Sequence, residues 1–214
     1  MLGTSQTYRF DNIESALDDF SKGEFLIVMD NEDRENEGDL IIAAQDVTPE
    51  KMAFLIRYSS GYVCAPTTSE RLEQLEIPMM VPKNTDPLRT AYGVSIDFKY
   101  GTTTGISAAD RARTANALAD PSIINGDDFN KPGHLLPLKA RPNGVLERQG
   151  HTEAAVDLCK LSNKNPTAII CELVNDDGTM KRREDCFEFA QQHNIKMITI
   201  ENLVQYIKST TNQS

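Results

Sequence analysis

The stretch FLIVMDNEDRENEGDLIIAA, residues 25–44, decides the fold. Two apolar runs of strand length, 25–29 and 39–44, read as buried strands on either side of a charged connection. That connection places six carboxylates, Asp30, Glu32, Asp33, Glu35, Glu37 and Asp39, around one cation, Arg34. Like charges crowded between buried elements repel unless a cation neutralises them. Loops that flank strands are where sites are built, and Gly38 permits a tight turn. An EF-hand fails as an explanation: Asp33, Glu35, Glu37 and Gly38 take its first, third, fifth and sixth positions, but the twelfth is Ala44, inside an apolar run. The plain alternative is a solvated acidic loop.

Outward from this stretch, helical and strand patterns interleave. Asn12 caps an amphipathic helix carrying Ile13, Ala16, Leu17 and Phe20, and Thr48-Pro49 opens another with Met52, Ala53, Leu55 and Ile56. Residues 62–68 and 92–98 read as strands, with a short helix from Ser69 between them. Ser107 starts a helix through Leu118, with Asp110 as its box-like partner. Residues 151–161 read as a helix and 167–174 as a strand, followed by a turn at Asp177-Gly178. A helix near 183–193, a strand MITI (197–200) and a helix from Glu201 end the chain. The expected class is a layered α/β, or mixed α+β, single domain over residues 1–214 with a central sheet. Residues 119–150, dense in Pro, Gly, Asn and Asp, read as a long irregular segment of functional type.

The composition narrows function. With 22 Lys and Arg against 32 Asp and Glu, the net charge is −10 over 214 residues. Such a chain repels nucleic-acid backbones and anionic membranes, so neither is an expected partner. An anionic substrate must then be held by a few local cations or a metal. There is no signal-like start and no apolar run beyond strand length, so a soluble, cytoplasmic protein is expected. Cys64, Cys159, Cys171 and Cys186 are widely spaced, which predicts free buried thiols.

The titratable residues stand in different settings. His193, in QQHN, reads as a surface histidine. His134 follows Pro132-Gly133 in the irregular segment. His151 opens a helix in RQGHTEA (148–154), where free amides favour an anion. TTTGISAADRART (102–114) is a second hydroxyl-rich approach to a helix. Glu172 lies within the apolar strand AIICELV, partly desolvated and suited to proton transfer, or else turned to solvent.

RENEGDL (34–40), SSGYVC (59–64), IPMMV (77–81), TGISAADRART (104–114), GHLLPL (133–138), RQGHTEAAVDL (148–158) and CELVNDDGTM (171–180) together resemble the 3,4-dihydroxy-2-butanone 4-phosphate synthase family, in order and over about residues 10–207. The resemblance implies a three-layer arrangement around a mixed β-sheet. It implies conversion of D-ribulose 5-phosphate to L-3,4-dihydroxy-2-butanone 4-phosphate and formate in riboflavin biosynthesis, by a magnesium-dependent homodimeric lyase. A histidine ligand also suits manganese, and no organic cofactor is expected. Carried over by motif, Glu35 and His151 are the metal ligands, and His134 and Glu172 the catalytic residues. Arg34, Glu35, Asp39, Arg148, Gln149, Gly150, His151, Thr152 and Glu172 contact substrate. Other readings of the same residues are a different metal-dependent sugar-phosphate isomerase or aldolase, and a non-catalytic acidic divalent-cation-binding module.

Overall fold

In the computed structural model, which describes residues 9–211, the Asn12 side chain accepts the Ser15 amide and starts α1 (Ile13–Ser21). β1 (Leu26–Met29) and β2 (Gly38–Ala43) are buried at every position. Thr48 caps α2 (Pro49–Tyr58), with Pro49 in its first turn. β3 (Cys64–Thr67), α3 (Ser69–Gln74), β4 (Ile96–Phe98) and α4 (Ala108–Ala119) follow. The rest is β5 (Phe129–Lys139), α5 (His151–Leu161), β6 (Ala168–Glu172), α6 (Arg183–His193), β7 (Lys196–Thr199) and α7 (Ile200–Thr211).

The strands form one mixed sheet in the order β4-β5-β3-β6-β2-β1-β7. The β1/β7 and β3/β5 pairs are parallel, and the other pairs antiparallel. Because successive strand residues point to opposite faces, β1 and β2 supply two separate cores. Ile27, Met29, Leu40 and Ile42 pack with Met52 and Leu55 of α2, Leu118 of α4 and Phe187 of α6. Leu26, Val28 and Ile41 pack on the other face with Phe20 of α1, Leu158 of α5 and Leu203 of α7. The result is the expected three layers.

Several expectations are corrected. The segment read as irregular contains the longest strand among the described residues, β5, and His134 lies within it. Its prolines and Gly133 hid it, because such residues are confined to edges and bulges of sheets. Here they serve a close crossing: a Cβ on Gly133 would lie 2.1 Å from the Ile96 carbonyl carbon, beside the register shift at Ile96/Asp97. Of the strand expected at 92–98, only Ile96–Phe98 is continuous, while Tyr92 and Gly93 form isolated bridges. Gly38 begins β2 rather than turning. A Cβ there would meet Cys186 Sγ at 2.6 Å and Met29 Sδ at 2.8 Å, and the left-handed residue of the loop is Asn36, φ 54°. His193 is half-buried against the rings of Phe54, Tyr58 and Phe189, not a surface histidine. The four cysteines are free and buried, as expected.

Arg71 ties α3 to the end of α4. Its guanidinium donates to the carbonyls of Ala117, Leu118, Asp120 and Ile123 at 2.8–3.2 Å. Carbonyls at a helix C-terminus lack intrahelical partners. Arg71→Ala is therefore expected to lower stability by about 2–3 kcal/mol in urea denaturation. Arg71→Lys should recover only part of it, because one ammonium cannot span four carbonyls.

Candidate active site

Asp30 closes β1, is buried, and builds the acidic loop around its carboxylate. Oδ1 accepts the amide of Glu37 at 2.9 Å; Oδ2 accepts the amide of Glu35 at 3.0 Å and the Arg34 guanidinium at 2.9 Å. Arg34 also pairs with Glu35. From outside, Arg182 donates to the carbonyls of Glu35 and Asn36 at 2.7 and 2.8 Å. Only the tip, with Glu32 and Asp33 exposed, is a solvated acidic loop. Asp30, Glu35 and Asp39 turn inward.

They turn towards His151, the first residue of α5. Its Nε2 lies 3.0 Å from the Val28 carbonyl, which can only accept, so Nε2 carries hydrogen and Nδ1 is the free ring nitrogen. Nδ1 lies 3.7 Å from Glu35 Oε2 and 3.7 Å from Asp39 Oδ1. The Asp39 oxygen is buried and has no hydrogen-bond partner. Burial pushes the Asp39 carboxyl up to about 8 against the pull of His151. The attraction of His151 foremost, with that of Arg34, outweighs burial at Glu35 and holds it down at about 2. Burial disfavours the His151 cation, but Asp39, Glu35 and Asp30 overcome that and raise it to about 9.

These groups fit a divalent cation. Ligand atoms of Asp30, Glu35 and His151 lie within 4.8 Å of one another. Asp30 already accepts three donors, whereas among the described residues Glu35 accepts Arg34 alone, so Glu35 and His151 are the better placed to bind, with the orphaned Asp39 oxygen facing them. A carboxylate and a neutral imidazole suit magnesium or manganese, with the remaining positions left to water and substrate oxygens.

The sheet brings further residues to the same end. Glu172, at the end of β6, pairs with Asp39 and is half-buried. Leu136 of β5 pairs with Cys64 of β3, which pairs in turn with Ile170 of β6. His134 and Glu172 lie two residues beyond those partners towards one end of the sheet, and so on one face. β3 separates them, so their backbones are about 10 Å apart. His134 Nδ1 is 2.7 Å from Asp97 Oδ2, and its amide donates to Oδ1 at 2.9 Å. Nε2 is the ring nitrogen turned away from Asp97.

Gly150 precedes α5 because two guanidiniums converge there: a Cβ would lie 2.3 Å from Arg148 Nη1 and 3.1 Å from Arg34 Nη2. Arg148 is braced by Glu153 at 2.6 Å, by the Leu88 carbonyl and by Thr90. Thr152 is buried in the first turn of α5. Gln149 is exposed and lines a cleft with Asp30, Arg34, Glu201 and Lys208. In the 102–110 segment Ser107 accepts the Asp110 amide. The Asp110 carboxylate accepts the Thr103 amide and hydroxyl and the Gly105 amide, contacts that hold it down at about 2, those of Thr103 foremost. The sequence reading lacked the organising role of Asp30 and the partners Asp97 and Glu153. Asp97 carries the same signal as Glu172, an acid within an apolar strand; nothing local distinguishes Glu153.

Comparison with known proteins agrees across sequence and structure. The family model described as 3,4-dihydroxy-2-butanone 4-phosphate synthase matches residues 14–206. A protein of that name from Schizosaccharomyces pombe is 61% identical over 92% of this chain and 97% of its own length. One from Saccharomyces cerevisiae is 52% identical over 93% and 99%. A crystal structure of such a synthase in complex with two magnesium ions aligns with a TM-score of 0.91 at 45% identity, covering 94% of this chain and 99% of that one.

The cluster predicts a proton-linked cation site. Burial raises Asp39, and the surrounding carboxylates raise His151, so both favour their protonated forms without a cation and a bound dication opposes that. Magnesium affinity by calorimetry should therefore rise with pH between 6 and 9, with protons released to buffer. Glu35→Gln and His151→Ala should each weaken binding by at least about ten-fold while leaving the circular dichroism unchanged.

Proposed function

Since the chain belongs to the 3,4-dihydroxy-2-butanone 4-phosphate synthase family, we propose that it converts D-ribulose 5-phosphate to L-3,4-dihydroxy-2-butanone 4-phosphate and formate for riboflavin biosynthesis. It works as a single-domain cytoplasmic homodimer that uses magnesium, or manganese in its place, and no organic cofactor. The observation that carries this reading is the cluster of Glu35, Asp39 and His151 beside Glu172, with one buried carboxylate oxygen lacking a partner. Among the described residues no helix is long and apolar enough to cross a membrane.

The reaction enolises a ketose, expels its terminal hydroxyl, shifts the carbon skeleton and releases one carbon as formate. A divalent cation held by Glu35 and His151 supplies Lewis-acid stabilisation of enediolate charge when bound. The chain itself supplies orientation and proton transfer. Val28 holds the His151 ring, so Nδ1 faces the cluster. Asp97 engages Nδ1 of His134, which keeps Nε2 available to take a proton and stabilises the imidazolium once it has. Glu172 gives and takes protons beside Asp39. Arg34, Gly150, Thr152 and Arg148 surround the α5 N-terminus, where free amides and positive charge favour the substrate's anionic end. Gln149 contacts substrate from the rim.

A second copy of the chain completes the site. Within one chain His134 and Glu172 stand on one face of the sheet with β3 between them. Tyr62 and Ile106, 51% and 52% exposed, offer apolar area for a twofold contact, with Gly105 packed closely against the His134 ring beside Ile106.

Incubation with ribulose 5-phosphate and magnesium should release formate, and none should appear in excess chelator. His134→Ser and Glu172→Gln should each lower kcat by about 10²-fold or more with substrate binding by calorimetry largely kept, as expected for proton-transfer groups. Full formate release in chelator would overturn metal dependence. If His134 and Glu35 meet from different subunits, co-refolded Glu35→Gln and His134→Ser chains should regain about a quarter of wild-type activity, from one intact site in each mixed dimer.

A further inference from the structure

The carboxylate of Glu172 is held by an unusual partner for a buried-strand acid. Among the described residues its contacts are Ser60 Oγ at 2.7 Å and Cys171 Sγ at 3.8 Å, both on Oε2. Ser60 is itself latched to β6, since its amide donates to the Glu172 carbonyl at 2.8 Å. The Tyr62 amide donates to Ser60 Oγ at 3.2 Å. Ser60 Oγ also lies 3.2 Å from Cys171 Sγ, but its shorter contact is the bond it donates to the carboxylate.

The turn that carries Ser60 is braced from both sides. Ser59 bridges to Leu173, and its Oγ accepts the Gly61 amide at 3.2 Å. Gly61 takes a left-handed φ of 74°. From α4, Arg111 donates to the Gly61 carbonyl at 3.3 Å. Arg111 is buried, its Nε has no partner, and no carboxylate pairs with it among the described residues. A buried guanidinium without a counter-ion is costly, and the contact it does make fixes the 59–62 turn.

We propose that Ser60 is a positioning residue for Glu172: its hydroxyl pins Oε2, which leaves Oε1 as the oxygen that meets the substrate. The proposal rests on the reading of Glu172 as a proton carrier. A carboxylate with one oxygen held by a directed donor has a fixed plane, and an unheld one rotates through orientations in which neither oxygen is in line with the transferred proton. Loss of the hydroxyl should therefore reduce turnover without weakening substrate binding.

Formate release by the full chain with magnesium tests this. Ser60→Ala should lower kcat by about ten-fold or more with KM within about two-fold of wild type. Ser60→Thr, which keeps the hydroxyl, should restore kcat to within about three-fold. In the Glu172→Gln background, Ser60→Ala should add less than about two-fold, because the group it positions is gone. A structural role for Ser60 would instead give losses that add in full and no rescue by Thr. Normal kcat in Ser60→Ala beside a crippled Glu172→Gln overturns the positioning role alone. Normal kcat in Glu172→Gln overturns the role of Glu172 and this proposal with it.

Discussion

The carboxylate of Asp30 is the contact on which the site depends. It accepts two backbone amides and one guanidinium, and those three bonds turn an acid-rich loop between two buried strands into a single conformation. Charge-assisted bonds of this kind are about twice as strong as neutral ones. They are needed here, because the loop also has to hold Glu35 towards His151 against the repulsion of neighbouring acids. Arg34 partners both Asp30 and Glu35, so one cation serves the loop's shape and its charge balance together.

The second element is the start of α5. A glycine there admits two guanidiniums that any side chain would exclude. The next residue, His151, has its tautomer set by a strand carbonyl rather than by another side chain. Loop, helix terminus and sheet end thus meet at one place, with Asp39 and Glu172 paired across β2 and β6. His151 and His134 each have one ring nitrogen engaged by a protein acceptor: the Val28 carbonyl for His151, whose other nitrogen faces the carboxylates, and Asp97 for His134.

Much of this was legible from residue types in order. The continuous apolar runs of β1 and β2 state that both faces are covered, and the caps at Asn12, Thr48 and Ser107 state where helices begin. Glu35, Asp39 and His151 were readable as a group only through the family motifs that carry them, since no ligand spacing joins positions over a hundred residues apart. β5 was hidden because its prolines and glycine carry turn chemistry in isolation, and its pairing with β3 and β4 is long-range. His193 was misread for a related reason: a polar local sequence says nothing of the three rings that α2 and α6 bring around it.

By itself, the amino-acid sequence determined the layered class, the buried strands and the acid loop with its lone arginine. Those properties are local, set by side-chain period, capping and charge. The tertiary structure alone decided which oxygen of Asp39 lacks a partner, which nitrogen of each histidine is free, that Asp97 backs His134, and that Ser60 holds Glu172. Each of these depends on atoms brought together by strand register and helix packing, across separations at which the order of residues carries no geometric information.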